Sequence, residues 1–195
     1  MKAPDSSPGG LRSVTGRTGA AGEYYVAAEL SRRGWLATVT IKNAPGTDVL
    51  AQRRDRRRLA IQTKTASYGN HFRLSVKDEQ PAEQDDEWYV LVGLREPEER
   101  PAFHVVPRHV MAAITYLEHR DWLWNLDRLR APIREGSQRK ANPQRTIRAE
   151  WINGYRDRWD LLDESAFAAP YLGDPRFLDL EQEVPLPSEY RTLAQ

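Results

Sequence analysis

The sequence has no cysteine among its 195 residues. This absence excludes a disulfide scaffold, thiolate metal sites and cysteine nucleophiles. It also has no apolar run long enough to cross a bilayer, and residues 1–17 are polar and rich in Gly, Pro and Ser, without the apolar core of a signal peptide. We therefore expect a cytoplasmic protein that makes no use of membranes and that begins with a disordered tail over residues 1–17.

Several familiar catalytic motifs are missing as well. The glycines at 16, 19 and 22 follow no strand and precede no Gly-Lys-Ser/Thr, so neither a P-loop nor a dinucleotide-binding loop is supported. The chain has no Gly-x-Ser-x-Gly nucleophile elbow. Its four histidines, of which His71 is the first, show no metal-ligand spacing.

The near-neutral net charge of +1 conceals an uneven distribution of charge along the chain. Residues 1–80 carry 14 Lys and Arg against 7 Asp and Glu, which leaves 15 against 21 for residues 81–195. A basic half suits a polyanionic substrate, because contacts with phosphates dominate the affinity of proteins for nucleic acid.

Three polar residues in this basic half are predicted to share one face of a hairpin. The run 53–58 is too charged to be buried, so we interpret it as the turn that joins strand 48–52 to strand 59–65. Pairing about that turn would place Asp48 opposite Lys64. Because side chains alternate between the two faces of a strand, Gln62 would lie on the same face as these two.

A fourth polar residue is predicted on the buried face of a helix that covers residues 22–30 and stops at Gly34. Glu23, Val26 and Leu30 lie on one helical stripe, and a buried carboxylate is costly unless it meets a cation or hydrogen-bond donors. Taken singly, Glu23, Asp48 and Lys64 also suit ordinary roles as a helix-end acid, a turn cap and a solvated strand residue.

Together these residues resemble the PD-(D/E)xK nuclease superfamily, which has the restriction-endonuclease-like fold. The resemblance covers residues 19–76 and rests on a helix-borne Glu23, on Pro45-Gly46-x-Asp48 and on the strand motif Gln62-x-Lys64. It implies a site for Mg²⁺ or Mn²⁺, with Asp48, Gln62, the Thr63 carbonyl and Glu23 as ligands. Lys64 would orient the attacking water and stabilise the developing charge. Gln62 departs from the superfamily, because most members carry an acid there, although an amide oxygen can still bind a hard cation.

The remaining chain completes an α/β domain with a mixed central sheet flanked by helices. The nuclease-like domain is predicted to cover residues 18–165, and an acidic, irregular tail over 166–195 is predicted to dock on it. Four further strands are expected over residues 35–41, 72–76, 88–94 and 103–106. Of these, 88–94 should be central and 103–106 should be the last strand of the chain. A helix is expected after Pro107, followed by a loop over 134–148 and a helical aromatic stripe over 151–162.

The sequence thus predicts a metal-dependent nuclease acting on nucleic acid, with DNA favoured over RNA, and it leaves a homodimer open. An alternative is a catalytically inactive module of the same fold that binds nucleic acid or a partner, and another is an unrelated α/β interaction domain. Substrate-binding side chains are expected at the hairpin tip and in the loop after the Lys64 strand, namely at Arg53, Arg54, Arg56, Arg57, Arg58 and His71.

Overall fold

The computed structural model describes residues 10–41, 46–67, 71–124 and 143–194. Its centre is a five-stranded sheet made of β1 (Leu36–Val39), β2 (Val49–Gln52), β3 (Arg58–Ser67), β5 (Glu87–Leu94) and β6 (Ala102–Pro107), adjacent in that order. The β3–β5 pairing is parallel and the other pairings are antiparallel. The predicted α/β class with a mixed central sheet is therefore confirmed.

The hairpin of β2 and β3 forms as predicted, but with a different register. Val49 pairs with Ile61 and Gln52 with Arg58, so the position opposite Asp48, just before β2, is Gln62 and not Lys64. The register differs because the turn is short and covers residues 53–57. A hydrogen bond from Arg53 N to Arg57 O closes this turn, and Arg56 within it adopts a positive φ of 70°. Because the difference is two residues, Gln62 and Lys64 still share one face of β3.

Strand β5 is central, as its nearly continuous apolar sequence predicts. Residues 88–92 are buried, and β5 hydrogen-bonds to β3 on one side and to β6 on the other. A strand covered on both faces has no solvent-exposed side, which accounts for the lack of alternation between polar and apolar residues.

Helix α1 (Gly10–Arg32) packs on β1, β2 and β3 and is longer than expected. Residues 10–17 of the predicted tail belong to this helix, whereas residues 1–9 lie outside the described residues. The part of α1 that precedes the predicted helix reaches the C-terminal end of β3, where the side chains of Thr18 and Ser67 form a hydrogen bond. Gly22 permits this approach, since a Cβ there would lie 1.9 Å from Oγ1 of Thr65. Gly34, with φ of 83°, follows the end of the helix as predicted.

A second sheet of two antiparallel strands, β4 (His71–Ser75) and β7 (Gln144–Arg148), lies outside the central one. The prediction that β6 is the last strand is therefore wrong. Residues 144–148 of the predicted loop form β7, because its pairing with β4 buries Phe72, Leu74 and Ile147. The remainder of that loop, except Pro143, lies outside the described residues.

The helix predicted after Pro107 is α2 (Arg108–Trp124), and Val110, Ile114 and Leu117 on its inner face are buried. The aromatic stripe that follows is core, as expected, but it forms two 3₁₀ segments, Ala149–Tyr155 and Trp159–Asp163, instead of one helix. A non-helical residue at Ile152 interrupts the first segment. None of the helices in the described ranges is long and apolar enough to cross a membrane.

The C-terminal tail docks on the domain but is not wholly irregular. It contains α3 (Arg176–Glu183), whose Phe177 and Leu180 are buried, and Leu193 near the end of the chain is also buried. Phe167, Tyr171 and Leu178 of the same tail are partly buried.

Candidate active site

Asp48 lies immediately before β2, and its carboxylate turns toward β3. Oδ2 of Asp48 accepts a hydrogen bond of 2.7 Å from the backbone N–H of Thr63. Strand β2 pairs with β3 only as far as Ile61, so the Asp48 side chain takes the place of the missing strand partner at Thr63. This bond holds the Asp48 carboxylate against the backbone of Thr63, the residue between Gln62 and Lys64 in β3.

The environment of Asp48 disfavours an uncompensated negative charge. Burial is the largest influence and raises the pKa of the Asp48 carboxyl above its ordinary value. The Thr63 hydrogen bond and the positive charge of Lys64 act in the opposite direction, while the negative charge of Asp78 adds to the rise. A bound cation would relieve this unfavourable electrostatic environment.

Lys64 forms an ion pair with Asp78, a residue that the sequence analysis did not identify. Nζ of Lys64 lies 2.9 Å from Oδ1 of Asp78, whose side chain is only 4% exposed. The same carboxylate accepts hydrogen bonds from the Tyr89 hydroxyl at 2.8 Å and from the Ser75 backbone N–H at 2.8 Å. Burial raises the pKa of Asp78, but Lys64, Tyr89 and Ser75 together outweigh it and leave that pKa below its ordinary value.

A local signal for Asp78 does exist in the sequence. Ser75 and Asp78 form a capping box at the start of the 3₁₀ turn Val76–Glu79, in which each side chain bonds to the backbone of the other residue. The spacing Ser-x-x-acid therefore indicates the cap. It does not indicate that the cap lies beside Lys64, since that depends on how β3 and β5 pair.

Gln62, Lys64 and Asp78 line a cleft of about 1000 Å³. Gly46 stands at its wall, and a Cβ on this glycine would lie 3.9 Å from Oε1 of Gln62. The charged side chains that line the cleft within the described residues are three cations and five carboxylates: Lys64, Lys77, Arg108, Asp78, Glu83, Asp86, Glu87 and Glu189. A polyanion entering the cleft would therefore need an additional positive charge at its centre.

Glu23 is partly buried on α1. It follows Gly22, which abuts the side chain of Thr65, whereas Lys64 points to the opposite face of β3 and into the cleft. The α1 backbone at Glu23 thus lies near the end of β3 that carries Lys64, on the helix side of the sheet. Its participation in a shared coordination site with Asp48 and Gln62 stays a prediction.

The arginines of the hairpin tip divide into two groups. Arg53 pairs with Asp55 at 3.1 Å and also with Asp163, and Arg57 donates to the backbone oxygen of Asp163 at 3.0 Å. These two side chains thus hold the tip against the 3₁₀ segment Trp159–Asp163. The side chains of Arg54, Arg56 and Arg58 are exposed.

His71 is exposed at the start of β4, directly opposite Arg148 of β7. Arg73 lies two residues further on the same exposed face, and Ser75 at the end of that face lines the cleft. The loop between Lys64 and His71 includes residues 68–70, which lie outside the described residues, as do Asn43, Ala44 and Pro45 of the motif before Asp48.

The oxygen atoms of the site suit a hard cation. Among the described ranges, no group of three or more His, Cys, Asp and Glu residues is arranged to hold a metal ion. The expected ligands are instead a mixed set, in which Asp48 supplies a carboxylate, Gln62 an amide oxygen and Thr63 a backbone carbonyl. All are oxygen donors of the kind that Mg²⁺ and Mn²⁺ accept. The half-buried Asp48 carboxylate, with its raised pKa, fits such a role.

Comparison with known proteins finds similarity to solved structures only. No family model matches the sequence, and no curated protein matches it. The backbone is similar to that of Hjc, a Holliday junction resolvase from Archaeoglobus fulgidus, over 67% of this chain and 83% of that one, with 17% identity and a TM-score of 0.38. It is also similar to the bacterial homing endonuclease I-Ssp6803I, over 76% of this chain and 92% of that one, with 15% identity and a TM-score of 0.43. Both similarities concern the arrangement of the backbone.

Proposed function

We propose that the protein is a metal-dependent nuclease that hydrolyses phosphodiester bonds, with DNA favoured over RNA as its substrate. The observation that carries this proposal is the hydrogen bond from Thr63 N–H to Asp48, because it holds a half-buried carboxylate beside Gln62 and Lys64. A carboxylate next to an amide oxygen and an ammonium group of the cleft can supply the metal ligands and the positive charge that metal-dependent phosphodiester hydrolysis uses.

Asp48, Gln62, the Thr63 carbonyl and Glu23 would hold Mg²⁺ or Mn²⁺. When bound, the cation would polarise a phosphate oxygen and lower the pKa of a water molecule. Lys64 would donate hydrogen bonds to a phosphate oxygen as negative charge develops on it. The excess of carboxylates along the cleft gives the cation a further role, because it would make the centre of the cleft attractive to a phosphate.

One observation favours a second candidate, a module of the same fold that binds nucleic acid or a partner without cleaving. The neutral Gln62 leaves the site with one carboxylate fewer than most members of the superfamily that it resembles. A binding module would need no cation at Asp48, so the metal dependence of activity separates the two candidates.

The test is cleavage of linear, circular and single-stranded DNA and of RNA, with Mg²⁺, Mn²⁺ or EDTA. We expect cleavage with a divalent cation and none with EDTA, and we expect Asp48→Asn to abolish it. Equal cleavage with EDTA or by Asp48→Asn would show a contaminating nuclease or a different site. Absence of cleavage with every substrate, together with retained DNA binding, would support the binding module.

A further inference from the structure

We propose that Asp78 is a positioning residue that holds the ammonium group of Lys64 in its catalytic place. This inference rests on the proposed function, since it assigns a partner to the proposed catalytic lysine. Asp78 itself would bind neither metal nor substrate. It would act through Lys64 alone.

The carboxylate of Asp78 is fixed on both of its oxygen atoms. Oδ1 accepts from the Tyr89 hydroxyl at 2.8 Å and pairs with Lys64 at 2.9 Å. Oδ2 accepts from the backbone N–H of Ser75 at 2.8 Å and from its hydroxyl at 3.1 Å. With its oxygens occupied and its side chain buried, Asp78 is a rigid anchor and a poor metal ligand.

Lys64 is the flexible partner in this pair. A lysine side chain has four rotatable carbon–carbon bonds, and its ammonium group carries three donors that turn freely. One donor is directed at Asp78, and the side chain remains 21% exposed toward the cleft, so the other donors can reach a substrate. Holding the chain in one conformation before the substrate arrives removes an entropic cost from the reaction step.

The simpler role for Asp78 is to cap the 3₁₀ turn. The cap requires only the two bonds to Ser75, which come from the same turn. The bonds to Lys64 and Tyr89 come from β3 and β5, two neighbouring inner strands of the central sheet. A cap alone does not account for a buried carboxylate aimed at the lysine of the cleft, and the two roles predict different results in a double-mutant cycle.

The cycle compares Asp78→Asn, Lys64→Ala and the double variant by single-turnover cleavage at saturating protein. We expect Asp78→Asn to slow cleavage by about 10- to 100-fold, with substrate affinity changed by less than about threefold. In the Lys64→Ala background the same substitution should change the residual rate by less than about threefold, because residues that act as a unit are not additive. An equal slowing in both backgrounds would overturn the proposal.

The matched control is Glu83→Gln, which removes one carboxylate from the lining of the same cleft and leaves the charge of Asp78 and its anchor in place. Its cleavage rate should stay within about threefold of the unmodified protein, because the ion pair with Lys64 is retained. If Asp78→Asn does not fold, Tyr89→Phe provides a milder variant that loosens the anchor through Oδ1. It should slow cleavage only when Lys64 is present, and an unchanged rate would contradict the proposal.

Thermal unfolding gives a readout that needs no activity. Lys64→Ala leaves the buried Asp78 charge without its cation, so adding Asp78→Asn should recover part of the lost Tm. Strictly additive Tm changes would overturn the pair itself. If the unmodified protein cleaves nothing, the proposed function fails whatever the Tm values are. If it cleaves and Asp78→Asn cleaves equally well, only the positioning role fails.

Discussion

The backbone N–H of Thr63 donates to the carboxylate of Asp48 over 2.7 Å, at the point where β3 continues beyond the first residue of β2. One side chain thus completes the hydrogen bonding of a central strand and stands beside Gln62 and Lys64. The fold and the proposed catalysis need different properties of the Asp48 side chain. The strand needs only a hydrogen-bond acceptor for Thr63 N–H, whereas a bound cation needs the negative charge of the carboxylate.

Substitutions at Asp48 should separate these demands. Asp48→Asn keeps an acceptor for Thr63, so the free energy of unfolding should change by less than about 1 kcal/mol, while cleavage is abolished. Asp48→Ala leaves a backbone N–H without its partner and should cost about 1–3 kcal/mol in addition. Urea unfolding beside a cleavage assay measures both. Cleavage by Asp48→Asn at the unmodified rate would exclude this residue as a metal ligand.

Gln62→Glu restores the acid found in most members of the resembled superfamily. An added carboxylate strengthens a hard-cation site, so the variant should bind Mn²⁺ more tightly and should retain or increase cleavage. Isothermal titration with Mn²⁺ measures the affinity, and Gln84→Glu, which also lies in the lining of the cleft, is the matched control for added charge. Weaker Mn²⁺ binding by Gln62→Glu would show that residue 62 is not a ligand.

Lys64→Ala should abolish cleavage while leaving most of the binding. Removal of a group that stabilises transition-state charge lowers the rate on the order of 10²-fold or more. Removing one phosphate-binding group among several weakens affinity only slightly. Fluorescence anisotropy measures the binding and single-turnover cleavage measures the rate. Lys77→Ala, which removes another lysine that lines the cleft, is the control. Full turnover by Lys64→Ala would refute the proposed active site.

The two groups of hairpin arginines should respond differently to substitution. Arg54, Arg56 and Arg58 are exposed, so replacing all three by Ala should flatten the salt dependence of DNA binding, by up to about 0.9 in slope for each phosphate that an arginine no longer neutralises. Turnover of saturated protein should remain nearly unchanged. An unaltered slope in anisotropy measured across a salt series would exclude the hairpin tip from the substrate path.

Arg53→Ala and Arg57→Ala should act on stability instead. Both side chains bond to Asp163 or its backbone, and Arg53 also lies 4.7 Å over the ring of Trp35. These are largely exposed contacts, so we expect a loss of about 0.5–1.5 kcal/mol for each variant. Urea unfolding measures this loss. A reduced salt slope with no loss of stability would assign the two residues to the substrate surface.

The lowered pKa of Asp78 predicts part of the acid sensitivity of the fold. A carboxyl whose pKa is lower in the folded state contributes stability above its unfolded pKa of about 3.9, and this contribution is lost as the pH falls through the folded value. Stability of the unmodified protein should therefore decline below about pH 4. Asp78→Asn should be less stable at pH 7 and should decline less steeply. Urea midpoints between about pH 2.5 and pH 7 test this, and parallel curves would contradict it.

The sequence predicts which face the site residues occupy better than it predicts their partners. Alternation along β3 places Gln62 and Lys64 together, and this prediction survives the difference in register because the difference is two residues. The register itself depends on the turn, where Arg56 takes a positive φ that nothing in its residue type indicates. The charged composition of residues 53–58 indicates a turn, but it does not determine how many residues the turn contains.

Non-local relationships account for the remaining differences. Asp78 is recognisable as the end of a capping box, yet its contact with Lys64 requires the parallel pairing of β3 with β5. Likewise, β4 finds its partner in β7, about 70 residues later in the chain, and no local pattern specifies that pairing. The extension of α1 before Gly22 also includes a long-range contact, the hydrogen bond between Thr18 and Ser67 at the end of β3, which helix propensity does not predict.

The parallel pairing of β3 with β5 has a consequence for the order of folding. Antiparallel hairpins close through short loops, whereas parallel strands need a long crossover, which here comprises residues 68–86 and carries Asp78. Contacts that join distant parts of a chain form slowly, because loop closure is costly before such contacts can stabilise it. A chain that has formed only the hairpin of β2 and β3 would already hold Asp48, Gln62 and Lys64. It acquires the carboxylate that anchors the lysine when the crossover closes.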